Sequence, residues 1–71
     1  MAFLSIEFTN GSNPYLFYGR GDTEAEKQDS IKRELKRWKR NYYLQTLKEA
    51  DGNLFILADE KRKVERWKYN F

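Results

Sequence analysis

The chain has 71 residues, 14 Lys and Arg against 11 Asp and Glu for a net charge of +3, and neither Cys nor His. This length predicts a single domain, residues 1–71, with a small core. Without Cys and His the chain lacks disulfides, thiolate and imidazole metal ligands and the usual general base, so we predict no enzyme activity, metal site or cofactor.

The amino-terminal segment predicts a cytoplasmic protein. It begins with Met1, has no basic stretch and carries Glu7 among its apolar residues, which is unlike a secretory signal peptide. No apolar run is long enough to span a membrane, so we expect no membrane contact.

The first elements in chain order are two short strands. Residues 3–8 alternate in polarity, as a half-buried strand does, and residues 15–18 are a second candidate strand. Between them, residues 10–14 are Asn, Gly, Ser, Asn and Pro, which favour turns. We predict a β-hairpin with a loop of four or five residues.

Residues 22–40 predict an amphipathic helix. Thr23 and Glu26 have the spacing of a capping box, in which the Glu26 amide donates to the Thr23 hydroxyl and the Thr23 amide donates to the Glu26 carboxylate. Acidic residues come first and basic residues last, as the helix dipole favours. The apolar side chains form one narrow stripe: Ile31, Leu35, Trp38 and Tyr42.

A second hairpin follows the helix. Residues 42–49 and 54–58 are candidate strands, and the Asp51-Gly52 pair between them favours a tight turn, with either a two- or a three-residue loop. A charged turn is expected at residues 59–62. Residues 64–71 alternate in polarity and favour a strand that completes a meander, although a short helix also fits their spacing.

These elements predict an α+β fold in the order ββαβββ. One amphipathic helix packs on an antiparallel sheet in this arrangement.

The candidate binding surface is the basic face of the helix. Residues 22–30 carry a net charge of −3, and residues 31–40 carry +5. On a projection of about 100° per residue, six cations spread away from the apolar stripe. Asp29 is placed to pair with Arg33, and Glu34 with Arg37 or Trp38. The six candidate contacts with a partner are Lys32, Arg33, Lys36, Arg37, Arg40 and Lys39.

A second basic run and several aromatic residues accompany this face. The run comprises Lys61, Arg62, Lys63, Arg66 and Lys68. It either extends the helix surface or protects a sheet edge from pairing with other chains, and edge protection is favoured. The twelve aromatic residues suit the packing of a small core. Five tyrosines are nevertheless too many for one core, so we expect some of them to be exposed: Tyr15, Tyr18, Tyr42, Tyr43 and Tyr69. Aromatic residues beside cations on a sheet can stack single-stranded bases.

These patterns favour a non-enzymatic binding module. Its leading predicted partner is the nucleic-acid backbone, because a cationic face attracts phosphates and no base-reading motif is present. The alternative is an adaptor or inhibitor that binds an acidic protein surface through the basic helix and sheet aromatics. We predict no small-molecule substrate. The protein is expected to be a monomer, or a homodimer joined through a sheet edge.

The composition resembles that of small proteins that phages and mobile elements encode to bind a host component. The shared features are one compact domain, no cysteine, segregated charge and many aromatic residues. This resemblance implies a binding role but assigns no residue a function.

Overall fold

A computed structural model of the protein describes residues 2–62. Within this range the α+β class and the order of the first five elements are confirmed. The prediction for residues 64–71 lies outside the described residues. The elements are β1 (Phe3–Phe8), β2 (Tyr15–Tyr18), α1 (Glu24–Trp38), β3 (Tyr42–Ala50) and β4 (Asn53–Glu60).

The four strands form one mixed sheet in the order β2-β1-β4-β3. Each hairpin is antiparallel, as predicted. However, β1 and β4 pair in parallel, so the expectation of a wholly antiparallel sheet is wrong in this respect. The helix α1 returns the chain along the sheet between the hairpins, and β4 therefore runs in the same direction as β1. β4 therefore lies between β1 and β3 in the sheet.

The turn between β3 and β4 is a two-residue loop, which resolves the two registers left open by the sequence. Ala50 pairs with Asn53, and Asp51 and Gly52 have φ angles of 53° and 80°. Two successive positive φ angles are typical of a type I′ turn, whose twist matches that of the adjoining strands. This register directs Ile56 and Ala58 into the core.

Two other boundaries differ from the predictions. The loop between β1 and β2 has six residues, 9–14, rather than four or five. Residues 59 and 60 continue β4 and do not form a charged turn. The Thr9 hydroxyl donates to the Asp59 carboxylate, and the Asn10 amide group donates to Glu60 at 3.1 Å. The long loop therefore holds the end of β4 through polar contacts.

The helix begins at the predicted cap, although one hydrogen bond differs. The Glu26 amide donates to the Thr23 hydroxyl at 3.2 Å. The Glu26 carboxylate accepts from the Asp22 amide at 3.1 Å instead of from the Thr23 amide. Just before this cap the chain runs close to α1, since a Cβ atom at Gly19 would lie 2.8 Å from the Lys27 carbonyl oxygen. The start of α1 is therefore fixed against the preceding loop.

The core lies between α1 and one face of the sheet. Its buried apolar residues are Ala2, Leu4, Ile6, Ile31, Ile56 and Ala58. The predicted stripe residues Leu35, Trp38 and Tyr42 pack against this cluster while remaining partly exposed. A core this small gives a small stability margin, so polar contacts around its edge carry more weight than in a larger domain.

Candidate functional site

All six predicted helix-face cations have exposed side chains. Ile31 turns into the core, which directs the opposite side of α1 to solvent. The chain leaves the helix at Trp38, so Lys39 is the carboxyl-terminal cap and Arg40 lies in the turn that follows. The six cations therefore form one surface that runs from the middle of α1 into the turn. We call it the basic surface: Lys32, Arg33, Lys36, Arg37, Lys39 and Arg40.

Few of these charges are compensated by acidic neighbours. Arg37 lies 3.5 Å from the Glu34 carboxylate, as predicted. The expected pair between Asp29 and Arg33 does not form. Among residues 2–62, Arg37 is the sole member of the basic surface with a carboxylate oxygen within 4.0 Å, and the other ion pair in this range joins Lys27 to Glu24 at 3.7 Å. Five cations of the basic surface thus face solvent without an acidic partner in the described part of the chain.

Two residues of the carboxyl-terminal run lie beside one end of this surface. The Lys61 amide donates to the Asn41 carbonyl at 3.0 Å, which fixes the end of β4 beside the turn after α1. As a result Arg40, Lys61 and Arg62 line one open cavity of about 560 Å³, together with Asn41, Tyr42 and Glu60. Lys61 and Arg62 therefore lie beside Arg40, at one end of the basic surface. The remaining cations of the run, Lys63, Arg66 and Lys68, lie outside the described residues.

Glu34 is a buried acceptor, for which the sequence predicted Arg37 or Trp38 as helical partners and gave no sign of burial or of a contact with Tyr15. It is 8% exposed, although it lies between cationic residues of the helix. Its Oε1 atom accepts from the Tyr15 hydroxyl and from Trp38 Nε1, each at 3.2 Å. Its Oε2 atom faces Arg37. The carboxylate therefore links β2, the helix core stripe and the basic surface.

An aromatic cluster surrounds this carboxylate. Trp38 packs against Tyr15, Tyr42 and Phe8 with ring centroids 5.0–5.5 Å apart. The side of Tyr15 and Trp38 that faces Arg37 and Asn41 borders a second open cavity of about 430 Å³. The Tyr15 hydroxyl and Trp38 Nε1 both donate to Glu34. These hydrogen bonds fix the orientation of the two rings, which support the basic surface from beneath.

The tyrosines divide between the core edge and solvent, as expected. Tyr15 and Tyr42 are partly buried beside Trp38. Tyr18 and Tyr43 are exposed, and Lys61 lies over the Tyr43 ring at 5.4 Å. Tyr69 lies outside the described residues. The two exposed tyrosines are on the sheet face opposite α1, so they do not belong to the basic surface.

Ionisation of Tyr15 is predicted to destabilise the fold at high pH. Burial, then the negative charge of Glu34 and the hydrogen bond to it, raise the pKa of the Tyr15 hydroxyl above its ordinary value. The unfolded chain therefore loses this proton first, and stability that is complete below about pH 10 is lost as pH rises through the raised pKa. In urea unfolding, the free energy of unfolding should fall more steeply with alkaline pH for wild type than for Tyr15→Phe. Parallel curves would contradict this assignment.

Two other kinds of feature are absent from the described part of the chain. Within residues 2–62, no three acidic residues come together as metal ligands do. No helix in this range is long and apolar enough to cross a membrane.

Comparisons with known proteins do not assign a function to the chain. No family model, no curated protein and no solved structure matches it.

Proposed function

We propose that the protein is a non-enzymatic binding module that holds nucleic acid by its phosphate backbone. The observation that carries this proposal is the set of five exposed cations with no acidic partner in the described part of the chain. Such a surface attracts a polyanion and releases its condensed counterions on binding. The expected contacts are with phosphates, because no motif for reading base edges is present.

The length of the basic surface sets the number of phosphates it can contact. From Lys32 to the end of the helix at Trp38 is about 9 Å along the axis, and Lys39 and Arg40 continue the surface in the cap and the turn. Phosphates of one strand of a duplex follow one another every 3.4 Å or so along the axis. The surface therefore matches about four phosphates. The cavity beside Arg40, lined also by Lys61 and Arg62, continues the path at one end.

The salt dependence of binding tests this proposal directly. With about four contacts, the logarithm of the affinity for a duplex of arbitrary sequence should fall with a slope near −3.6 against the logarithm of salt concentration. Affinity should then drop roughly a hundredfold between 50 and 200 mM salt. Fluorescence anisotropy with a labelled duplex measures this slope. Absence of binding at low salt would contradict the proposal.

An acidic protein surface is the competing partner, and a polyanion comparison separates the two. Poly-glutamate carries charge without the spacing of phosphates along a strand. We expect the duplex to bind more tightly than poly-glutamate of equal charge at the same salt concentration. Equal binding would favour an adaptor that recognises an acidic protein.

We also propose that the protein and its nucleic-acid partner are cytoplasmic.

A further inference from the structure

The helix covers one face of the sheet, and the opposite face has an unusual composition. Since Leu4, Ile6 and Ile56 face α1 in the core, the alternate residues of β1 and β4 face the other way. Within residues 2–62, no helix or strand covers this second face. We call it the open sheet face, with the members Phe3, Ser5, Glu7, Leu16, Tyr18, Tyr43, Gln45, Lys48, Phe55, Leu57 and Asp59.

Large apolar side chains dominate this face. Leu16, Tyr18 and Tyr43 are 50%, 54% and 44% exposed. Phe3 on β1 contacts aromatic rings on both neighbouring strands. Its ring centroid lies 5.4 Å from that of Phe55 on β4, in an edge-to-face contact, and 6.3 Å from that of Tyr18 on β2. A contiguous apolar patch of this kind is characteristic of a surface that another molecule covers.

The charges of this face do not suit a phosphate backbone. Glu7 and Asp59 are acidic, whereas Lys48 is basic, and Lys61 lies over Tyr43 at its border. The two signs balance, in contrast to the basic surface on the other side of the molecule. Counterion release would therefore contribute little here. An apolar partner with balanced charge, such as a protein, fits this face better than a nucleic acid does.

We propose that the open sheet face packs against the same face of a second copy of this chain. The four strands have between four and nine residues. At about 4.8 Å between strands and about 3.3 Å per residue, the face measures about 430 Å² per copy, or about 860 Å² for the pair, before side chains add to it. A total of this size is characteristic of a weak dimer whose population depends on protein concentration. A charge-balanced apolar face can pair with itself across a two-fold axis, as in packed β-sheets about 10 Å apart.

A dimer formed through sheet edges is less favourable. The edge strand β2 has only four residues. The other edge strand, β3, contains a β-bulge at Leu47, where Thr46 pairs with Ile56 and Lys48 pairs with Phe55. A bulge interrupts the row of backbone groups that a new strand would need, and it commonly protects an edge from pairing. The structure therefore favours the face over the edge.

Face-to-face packing places two basic surfaces on opposite sides of the dimer. The order of layers becomes helix, sheet, sheet and helix. Each basic surface stays exposed because it lies on the side of α1 away from its own sheet. If the proposed function holds, one dimer can contact two segments of nucleic acid at once.

Sedimentation equilibrium of the nucleic-acid-free protein tests the dimer. The mass of the wild type should rise with concentration from 8.6 kDa to twice that value. The double variant Leu16→Lys/Tyr18→Lys should raise the dissociation constant at least a hundredfold, because it places two cations in an apolar interface. The control Ser12→Lys adds a cation to an exposed loop and should dimerise as wild type does. A wild type that stays at 8.6 kDa, or an unaffected double variant, would overturn the proposal.

A thiol probe keeps the assignment testable if the double variant fails to fold. The chain contains no cysteine, so Leu16→Cys introduces a unique thiol on the open sheet face. Its rate of alkylation should fall as protein concentration rises and the dimer forms. A constant rate while the mass doubles would show that the dimer uses another surface. Since no nucleic acid is present in either measurement, failure here leaves the binding proposal untouched.

Discussion

The triple variant Arg33→Glu/Lys36→Glu/Arg40→Glu is expected to lose nearly all affinity for nucleic acid. These three side chains are exposed, and none has an acidic partner within residues 2–62, so their full charge is available to phosphates. Removing three contacts should reduce the salt slope of duplex binding by about 2.7. The remaining slope is then close to that of a single contact. Fluorescence anisotropy across a salt series gives both the affinity and the slope.

Arg37 is omitted from this variant because the structure assigns it a second role. Its guanidinium lies 3.5 Å from Glu34, so a substitution there also removes a partner of that buried carboxylate. A change in affinity would then have two explanations. Arg33, Lys36 and Arg40 do not have this ambiguity, and their exposure predicts little change in folding stability.

A pair of single lysine variants provides a matched control. Lys36→Glu and Lys48→Glu change the net charge equally, and both lysines are exposed. Lys36 lies on the basic surface, whereas Lys48 lies on the open sheet face. We expect only Lys36→Glu to lower the salt slope, by about 0.9. Equal effects would mean that net charge alone governs binding, and would contradict a localised interface.

The sequence allowed the helix to be predicted because its signals are local. Thr23 and Glu26 are three residues apart, and the Ile31–Leu35–Trp38 stripe repeats within a few turns. The Asp51-Gly52 turn is local in the same sense. Each of these features depends on neighbours along the chain, so its physical cause is visible without a fold.

The sheet order could not be obtained in this way. The pairing of Leu4 with Leu54 joins residues fifty positions apart, and no turn or period specifies it. Apolar strands at both ends of the chain suit an antiparallel or a parallel neighbour equally well. The position of β1 beside β4 is decided by how α1 packs, which is a property of the whole domain.

The candidate site also has some features that local sequence predicts and others that depend on contacts between distant elements. Exposure of the basic surface follows from the helical projection, and the structure has all six cations in solvent. The burial of Glu34 does not follow from it, because the carboxylate acquires its environment from Tyr15 on β2. Likewise, Lys61 and Arg40 line the same cavity because the end of β4 is hydrogen-bonded to Asn41. Contacts between distant elements therefore determine where the basic surface is supported and where it continues.

Glu34→Ala is expected to produce the largest loss of stability among variants of the charged residues of α1. It removes the acceptor shared by the Tyr15 hydroxyl and Trp38 Nε1, both at 3.2 Å. Leaving a donor without an acceptor costs about 1–3 kcal/mol, and both donors are only partly buried, so we expect a total near 2–4 kcal/mol. A domain of this size has about 5 kcal/mol in all. Urea and thermal unfolding measure the loss.

Glu34→Gln separates acceptor geometry from charge. The amide oxygen of glutamine can still accept from Tyr15 and Trp38, while the ion pair with Arg37 is lost. Arg37 is 80% exposed, and an ion pair of this kind contributes only about 0–1 kcal/mol. We therefore expect Glu34→Gln to cost less than about 1 kcal/mol. Glu24→Ala removes an exposed carboxylate from the same helix and serves as the control, with a smaller effect still.

The comparison of the two Glu34 variants also connects stability to binding. If the carboxylate acts mainly as an acceptor that fixes Trp38 and Tyr15, Glu34→Gln should fold like wild type and bind nucleic acid slightly more tightly, because one negative charge beside Arg37 is gone. If Gln and Ala are equally destabilising, the negative charge itself is required, and the acceptor role is wrong. Tighter binding by a fully folded Glu34→Gln variant would show that Glu34 supports the basic surface structurally while it opposes the partner electrostatically.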